Sequence, residues 1–419
     1  MELTPPRGTV DFVPPRSGAL WEVSAAAHRV ARLFGFAYVE TPGFEQTELF
    51  ARSSGESSDI VQKEMYTFED RGGRLLTLRP EGTAPIVRAY LAHRNELPTP
   101  FKAYLVGPMW RYGRPQTGRS REFRQFDIEI IGAADPSADV EVIACGERYL
   151  EELGLREYHL EVNSIGDQNC RPRYREILLE YLEAQSPRLR DEHRDRFRDN
   201  PLRVLDCKDE ACREVAEDAP KITDYLCEPC REHFESVLAR LGKEGTRHRV
   251  VPTLVRGLDY YTRTAFEWVG EALPPGQASL GGGGRYDGLA EVLGGPPTPG
   301  VGFALGIEPR ILLALEAEGR LPAPPRVTSF VVTVGPGARP RGHDLVRELR
   351  AKGVSADSSF EDRPLKAQFR MADRAGARYA LIVGEREAEA GTVTVRRLED
   401  GHEETIPATD VATWISQQA

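Results

Sequence analysis

Residues 122–132, EFRQFDIEIIG, alternate as an extended strand does. Phe126, Ile128 and Ile130 fall at even positions and form an apolar face, while Phe123, Gln125, Asp127 and Glu129 share the opposite face, because strand side chains repeat every two residues. A row of aromatic, amide and carboxylate groups fits a solvated surface. Just upstream, however, MWRYGRPQTGRSR (109–121) brings Arg111, Arg114, Arg119 and Arg121 into one loop. An arginine-rich loop feeding a carboxylate-lined strand suits a site that holds phosphates beside a small cationic or hydrogen-bonding ligand. By itself the stretch fits either reading.

Working outward, residues 19–34 predict a helix with Leu20, Val23, Ala27, Val30 and Phe34 on one stripe, and 34–46 a strand broken at Pro42. Further strands are expected at 75–79, 101–112, 157–163, 250–256, 262–269 and 299–307, and helices at 83–93 and 137–152. Strands joined by short turns, with helices kept apart, predict an α+β domain around a mainly antiparallel sheet. Residues 168–243 are polar, charged and helix-prone, which marks an inserted helical subdomain. The core is therefore expected over 1–167 and 244–320. Residues 321–326 form a proline-rich linker, and 327–419 alternate β and α as a small α/β domain.

Composition narrows the function classes. The 419 residues are 40% apolar and 29% charged, typical of water-soluble globular chains. The first fifteen residues lack the apolar core of a signal peptide, and no run reaches the 18 apolar residues of a membrane span, so the expected setting is cytoplasmic, without a membrane partner. A net charge of −10 argues against a general nucleic-acid coat but leaves room for a local basic stripe.

Three further patterns carry chemistry. LVRGLDYYTRTAFEW (254–268) crowds Arg256, Asp259, Tyr260 and Tyr261 around Gly257. Paired tyrosines are often only packing with a satisfied hydroxyl. ASLGGGGRYDGL (278–289) contains four consecutive glycines that let backbone approach a ligand closely, and PGVGFALGIEPRI (299–311) is a glycine-spaced strand running into a helix. Cys207, Cys212, Cys227 and Cys230 follow a C-x4-C, C-x2-C pattern suited to a structural zinc held by four thiolates; reduced thiols packed in a helical insert are the other reading. Cys145 and Cys170 are expected to be ordinary buried thiols.

Taken in order, these stretches resemble the histidyl-tRNA synthetases, a class II family, over nearly the whole chain. RGLDYYTRTAFE resembles that family's histidine-binding signature, LRPEGTAP (78–85) its amino-acid loop, and WRYGRPQTGRSREFRQFDIEIIG (110–132) motif 2 of the class. PGVGFALGIE is similar to motif 3, FGFAYVETPGFE (34–45) to the dimer-forming motif 1, and RPLKAQFRMADRAGARYALIVG (363–384) to the anticodon-binding domain.

The resemblance implies a ligase that activates histidine with ATP and transfers it to the 3′ end of tRNA(His). It implies Glu81 and Gln125 at the α-amino group of histidine with Gly82 and Thr83 alongside, and Glu129, Tyr260 and Tyr261 around the imidazole. Neutral imidazole offers one donor and one acceptor, which a carboxylate and a phenol match. Arg111 and Arg119 are implied at the phosphates, Phe123 at adenine, and Arg256 at the α-phosphate during attack, with Mg2+ entering on ATP. In the last domain, Arg363, Lys366, Arg370, Arg374 and Arg378 recur at helical spacing; such a stripe is usually solvated, and the resemblance adds tRNA phosphates as its partner.

One departure stands out. Motif 3 usually ends Gly-x-Glu-Arg, whereas here Pro309 separates Glu308 from Arg310. On a helix the shift amounts to about 100° of rotation and ~1.5 Å of rise, so Arg310 reaches the γ-phosphate only if the helix starts late. That displacement favours a rival reading, a catalytically silent paralogue sensing histidine as a regulatory subunit of histidine biosynthesis. A full anticodon-type domain and the retained Glu81, Arg111, Gln125, Glu129, Arg256 and Tyr261 weigh against it. A plain RNA-binding module leaves the pocket set unexplained.

Overall fold

The computed structural model describes residues 3–55, 58, 60–113, 118–190, 194, 197–198, 201–205, 207, 209–323 and 327–418. Arg114 and part of the proline-rich linker (324–326) lie outside the described residues. The chain divides into two compact units, Met1–Pro322 and Ala323–Ala419.

In chain order the strands of the first unit are β1 (Ala37–Tyr38), β2 (Phe44–Gln46), β3 (Thr67–Glu69), β4 (Leu75–Leu78), β5 (Phe101–Trp110) and β6 (Glu122–Ile131), then β7 (Tyr158–Ser164), β8 (His248–Val250), β9 (Thr262–Gly270), β10 (Ser279–Arg285) and β11 (Gly300–Glu308). Eight of them form one sheet in the order β1-β5-β6-β11-β10-β9-β7-β8, and β2-β4-β3 make a smaller one. The large sheet is antiparallel through its interior, with parallel pairs only at its two edges, so the unit is α+β as the strand spacing predicts.

One face of this sheet is the core. Phe126 of β6 meets Phe303 of β11 and Tyr149 of the helix Ser137–Glu152 edge-on, at ring separations of 5.4 and 5.0 Å. Val23, Ala27 and Val30 of the helix Arg16–Leu33 close the same layer. Each buried aromatic or branched side chain there contributes about 1.5–3 kcal/mol relative to exposure. With that face filled, the polar row of β6 must point to the other side.

Two segments differ from expectation. The strand expected at 250–256 ends at Val250, because Pro252 has no N–H to continue the ladder. The run Gly281–Gly284, for which only close backbone approach was expected, is a central strand paired on both sides with β9 and β11. A Cβ on Gly283 would sit 1.9 Å from the carbonyl oxygen of Gly302, so neighbouring backbone approaches where no side chain fits.

The insert is helical, with Tyr174, Leu178, Leu182, Cys212, Val215 and Cys230 in a core of its own. Its last helix, Glu228–Glu244, is shared: Phe234, Val237 and Leu241 bury in the main core.

In the second unit, β12 (Ser329–Val334), β13 (Ala356–Ser358), β14 (Tyr379–Gly384), β15 (Thr392–Arg397) and β16 (Glu403–Pro407) pair in the order β13-β12-β14-β15-β16. The first three strands in that order are parallel and the last two antiparallel. Lys366, Arg370 and Arg374 lie exposed on the helix Leu365–Arg374, with Arg363 and Arg378 exposed just beyond its ends. Gln368 and Ala372 are its buried residues.

Candidate active site

On the polar side of the large sheet lies a cavity of about 450 Å³. It gathers Glu81, Thr83, Arg111, Arg119, Phe123, Gln125, Arg256, Tyr260 and Tyr261 from three separate stretches of chain, 81–83, 111–125 and 256–261. Its floor is β6, β10 and β11, where Gly281, Gly282 and Gly306 keep the surface low.

Glu81 stands at the start of the helix Thr83–His93. Its carboxylate accepts from the backbone N–H groups of Thr83 at 2.7 Å and Ala84 at 3.0 Å, donors that a helix start leaves without intrahelical partners. Burial nevertheless pushes the Glu81 carboxyl upward, offset in part by those N–H groups and by Arg111. Gln125 is buried, and its Oε1 has no hydrogen-bond partner among the described residues. The wall therefore presents an acid and an amide oxygen side by side, a set that suits a cationic group.

Glu129 and Gly82 lie one layer behind this wall instead of lining it. The Glu129 carboxylate is fully buried and accepts from Thr83 Oγ1 at 2.6 Å and from the Tyr286 hydroxyl. Burial drives its carboxyl well above the usual range. A Cβ on Gly302 would fall 1.8 Å from Glu129 Oε2, so the glycine spacing of β11 makes room for this acid. Gly82 makes room for Asp127, whose carboxyl carbon would lie 2.8 Å from a Cβ there. Asp127 is also fully buried, and burial together with the nearby Glu81 charge pushes its carboxyl far up.

Elsewhere the lining carries four arginines, Arg111, Arg119, Arg256 and Arg310. Arg111 donates from Nε to the Pro80 carbonyl at 2.7 Å and lies over the Phe123 ring at 5.3 Å. Arg256 donates to Glu267 at 2.8 Å and passes over the Tyr261 ring at 5.6 Å. Tyr261 in turn packs on Tyr260, with ring centroids 4.6 Å apart. Arg310 is on the wall too: the helix begins at Arg310 itself, with Pro309 outside it as the cap. Its Nη1 donates to the Gln277 carbonyl at 3.0 Å. The inserted proline therefore does not remove this arginine from the cavity. Glu308, beside it, is buried and its carboxyl rises to about 7.

The cysteines arrange differently from their spacing. Cys227 and Cys230 cluster with Asp167 and Cys170, all four ligand atoms within 4.8 Å of one another, whereas Cys207 hydrogen-bonds with Cys212. The expected four-thiolate set is thus split, and Cys170, a buried free thiol as expected, stands in one of the two groups. Burial and packing order in the insert decide these neighbours, and linear spacing does not encode them.

Sequence reasoning assigned nothing to Arg79, Glu267 or Tyr286. Arg79 had a signal: it is an arginine ending the apolar run LLTL, and it is 1% exposed with its guanidinium on the carbonyls of Thr41 and Pro108. Tyr286 meets Glu129 only because β11 sets β10 beside β6, and Glu267 of β9 meets Arg256 of the loop before that strand.

Comparison with known proteins agrees with this geometry. Residues 8–309 match the histidyl-tRNA synthetase family model and 328–418 the anticodon binding domain model. The chain is 47% identical over 420 residues to a histidine–tRNA ligase of Pelotomaculum thermopropionicum, covering 100% of this chain and 98% of that one. A histidine–tRNA ligase of Rhodococcus erythropolis is 48% identical over 410 residues, with 97% and 96% covered. Among solved structures, the apo histidyl-tRNA synthetase of S. aureus aligns over 99% of this chain and 100% of its own, with a TM-score of 0.79 and 37% identity. The chain belongs to the histidyl-tRNA synthetase family.

Proposed function

We propose that this cavity joins histidine to ATP and then passes the activated histidine to the 3′ end of tRNA(His), making the chain a histidine–tRNA ligase. The observation that carries the reading is the meeting, in one cavity, of an ammonium-type subsite at Glu81, Thr83 and Gln125 with a cationic wall of Arg111, Arg119, Arg256 and Arg310.

Histidine enters with its ammonium on Glu81, Thr83 and the unpartnered Gln125 Oε1, which stabilises the ionised form of Glu81 against burial. Its imidazole meets Tyr261 and Tyr260, with Glu129 held ready behind Thr83 by Tyr286. A pocket of such hydrogen bonds rejects amino acids lacking them by as much as ~10⁴-fold. Phe123 offers a face to adenine, and Arg111 and Arg119 take the phosphates. A histidine carboxylate oxygen attacks the α-phosphorus and pyrophosphate leaves; Arg256, oriented by Glu267, meets the charge that grows on the α-phosphate. Glu308 and Glu64 line the cavity and, as oxygen donors, would hold a Mg2+ arriving with ATP, which would supply neutralisation of phosphate charge. The 3′-terminal hydroxyl of tRNA then attacks the activated carbonyl, and AMP leaves. Phosphates elsewhere on the tRNA are assigned to Arg363, Lys366, Arg370 and Arg374, which are exposed in the anticodon-type unit.

We also infer a symmetric homodimer. Phe44 and Phe68, 50% and 42% exposed, pack edge-to-face on the small sheet, and a solvent-facing aromatic pair of this kind marks a surface to be covered. No helix among the described residues is long and apolar enough to cross a membrane, and all six cysteines are free thiols, which suits the reducing cytoplasm.

Pyrophosphate exchange into ATP tests the reading. It is expected with histidine and with no other amino acid, together with charging of tRNA(His). A protein that binds histidine without exchange would instead be the silent regulatory paralogue.

A further inference from the structure

A second side-chain cluster sits where the helical insert joins the catalytic unit. Asp167, Cys170, Cys227 and Cys230 each offer one ligand atom, and all four atoms lie within 4.8 Å of one another. A tetrahedral zinc with Zn–S bonds of about 2.3 Å needs sulfur atoms roughly 3.8 Å apart, so the set is already near coordinating size. Cys170 Sγ stands 3.5 Å from Asp167 Oδ1, and Cys227 Sγ stands 3.7 Å from the same oxygen.

Local structure favours thiolates here. Cys170 caps the helix Arg171–Gln185, Cys227 caps Glu228–Glu244, and Cys230 lies in the first turn of the latter. Two helix N-termini therefore direct their partial positive charge at the three sulfurs. Gly166 adopts a φ of +63°, and a Cβ there would come within 2.6 Å of Cys170 Sγ, so the turn before the cluster is shaped around that sulfur. Asn169 donates to Asp167 through its backbone N at 2.9 Å and its side chain at 3.3 Å, which orients the carboxylate.

Charge arithmetic selects the ion. Three thiolates and one carboxylate carry −4, and a divalent metal leaves −2. Arg263, whose Nη2 is 3.8 Å from Asp167 Oδ2, and Arg171, which interacts with Asp167, Cys170 and Cys230, bring the total to zero. Sulfur-rich, four-donor, closed coordination is the zinc pattern, and it leaves no open position for chemistry.

We propose that Asp167, Cys170, Cys227 and Cys230 bind one structural Zn2+ that fastens the insert to the histidine-binding wall. The connection to that wall is direct. Arg171, next to Cys170, donates to the carbonyl oxygens of Ile165 and Tyr261, and the Arg263 amide donates to the Gly166 carbonyl at 2.7 Å. The metal thus braces both flanks of the segment that carries Tyr261.

The test is metal analysis of the untagged full-length protein from zinc-replete cells, followed by substitution with Co2+. About one zinc per chain is expected, and the cobalt protein should show sulfur-to-cobalt charge-transfer absorption of three-thiolate strength. Cys170→Ser and Cys227→Ser should abolish metal binding, Asp167→Asn should weaken it at least ~10-fold, and a Cys207→Ser/Cys212→Ser double variant should retain it. A wild-type protein that is metal-free and binds neither ion at micromolar concentration overturns the proposal. So does loss of metal in the Cys207→Ser/Cys212→Ser variant with retention in Cys170→Ser. If the serine variants at 170 and 227 do not fold, the wild-type stoichiometry and cobalt spectrum still decide the matter.

Discussion

Arg256 donates from Nη1 to Glu267 Oε2 at 2.8 Å, so its guanidinium reaches the cavity already oriented from behind. An oriented cation contributes most where charge develops during reaction, because no reorganisation is needed at that moment. Arg256→Ala is therefore expected to lower histidine-dependent pyrophosphate exchange by ~10³-fold or more, while the histidine dissociation constant changes much less. Glu267→Gln keeps the cation and loosens its support, so a smaller loss, roughly tenfold, is expected. Equal weakening of histidine binding in Arg256→Ala would assign this arginine to ground-state binding.

Arg310 lines the cavity despite the inserted Pro309. Its charge feels both Arg119 and Glu267, which places it among the cations rather than on the outer surface. Losing one charge-assisted contact to phosphate costs about 1.5–3 kcal/mol, or roughly 10–100-fold. Arg310→Ala should raise the ATP Michaelis constant by that factor in steady-state exchange assays. A change below about threefold would mean that Arg310 does not reach the nucleotide.

This arginine also shows where the sequence was legible. Strand alternation at 122–132 and the run of arginines before it left a site and a solvated face equally open, yet Phe123, Gln125, Arg111 and Arg119 of these stretches do line the cavity, because both signals are local and periodic. The effect of Pro309 was not legible, since it depends on where the helix begins, and one residue decides that. Cys170 was equally hidden. Beyond Asp167 nearby, its partners Cys227 and Cys230 are distant in sequence and meet it only because two helices begin at the same point. Glu129 was expected at the imidazole, but its depth behind the wall was not, because the sheet pairing that brings Tyr286 over it has no local mark.

Gly302 tests that depth. A Cβ at this position would fall 1.8 Å from Glu129 Oε2 and 2.3 Å from the Ile128 carbonyl. Gly302→Ala should therefore destabilise the fold by about 1–3 kcal/mol, as overpacking does, and should raise the histidine Michaelis constant more than the ATP one. Tyr286→Phe removes one donor to Glu129 without adding volume, so it should weaken histidine binding with little loss of stability. Denaturant titration and histidine titration together separate the two effects. Unchanged histidine binding in both variants would remove Glu129 from the imidazole subsite.

Glu308 sets a pH dependence. Burial raises its carboxyl from an ordinary 4.5 to about 7 in the folded protein. The folded state then holds the proton more tightly than the unfolded one, so this group favours folding at low pH. Its contribution falls as pH rises from about 4.5 through 7 and is absent above that range. Glu308→Gln should flatten this part of the stability profile and raise the thermal midpoint at pH 8, measured without nucleotide. Adding ATP and Mg2+ to the unsubstituted protein should reduce the same pH dependence, because a cation beside the carboxylate favours its ionised form. A profile unaffected by the substitution would show that Glu308 does not titrate in this window.

The small sheet β2-β4-β3 links assembly to chemistry. Phe44 and Phe68 stand exposed on one of its faces, with the half-buried Leu76 and Leu78 between them by register. Directly behind, the Arg79 amide donates to the Gly43 carbonyl at 3.1 Å, and the Trp110 amide donates to the Arg79 carbonyl at 3.0 Å. Arg79 also donates to the Thr41 carbonyl at 2.8 Å, so the segment before β2 is tied to the strand that opens the arginine-rich loop. Covering the aromatic pair with a second copy would hold that segment, and through Arg79 and Trp110 would fix the loop bearing Arg111 and Arg119. A Phe44→Glu/Phe68→Glu variant should sediment as a monomer at micromolar concentration, retain its fold, and lose most of its exchange activity through a raised ATP Michaelis constant. A monomer with full activity would show that the loop is ordered without the partner.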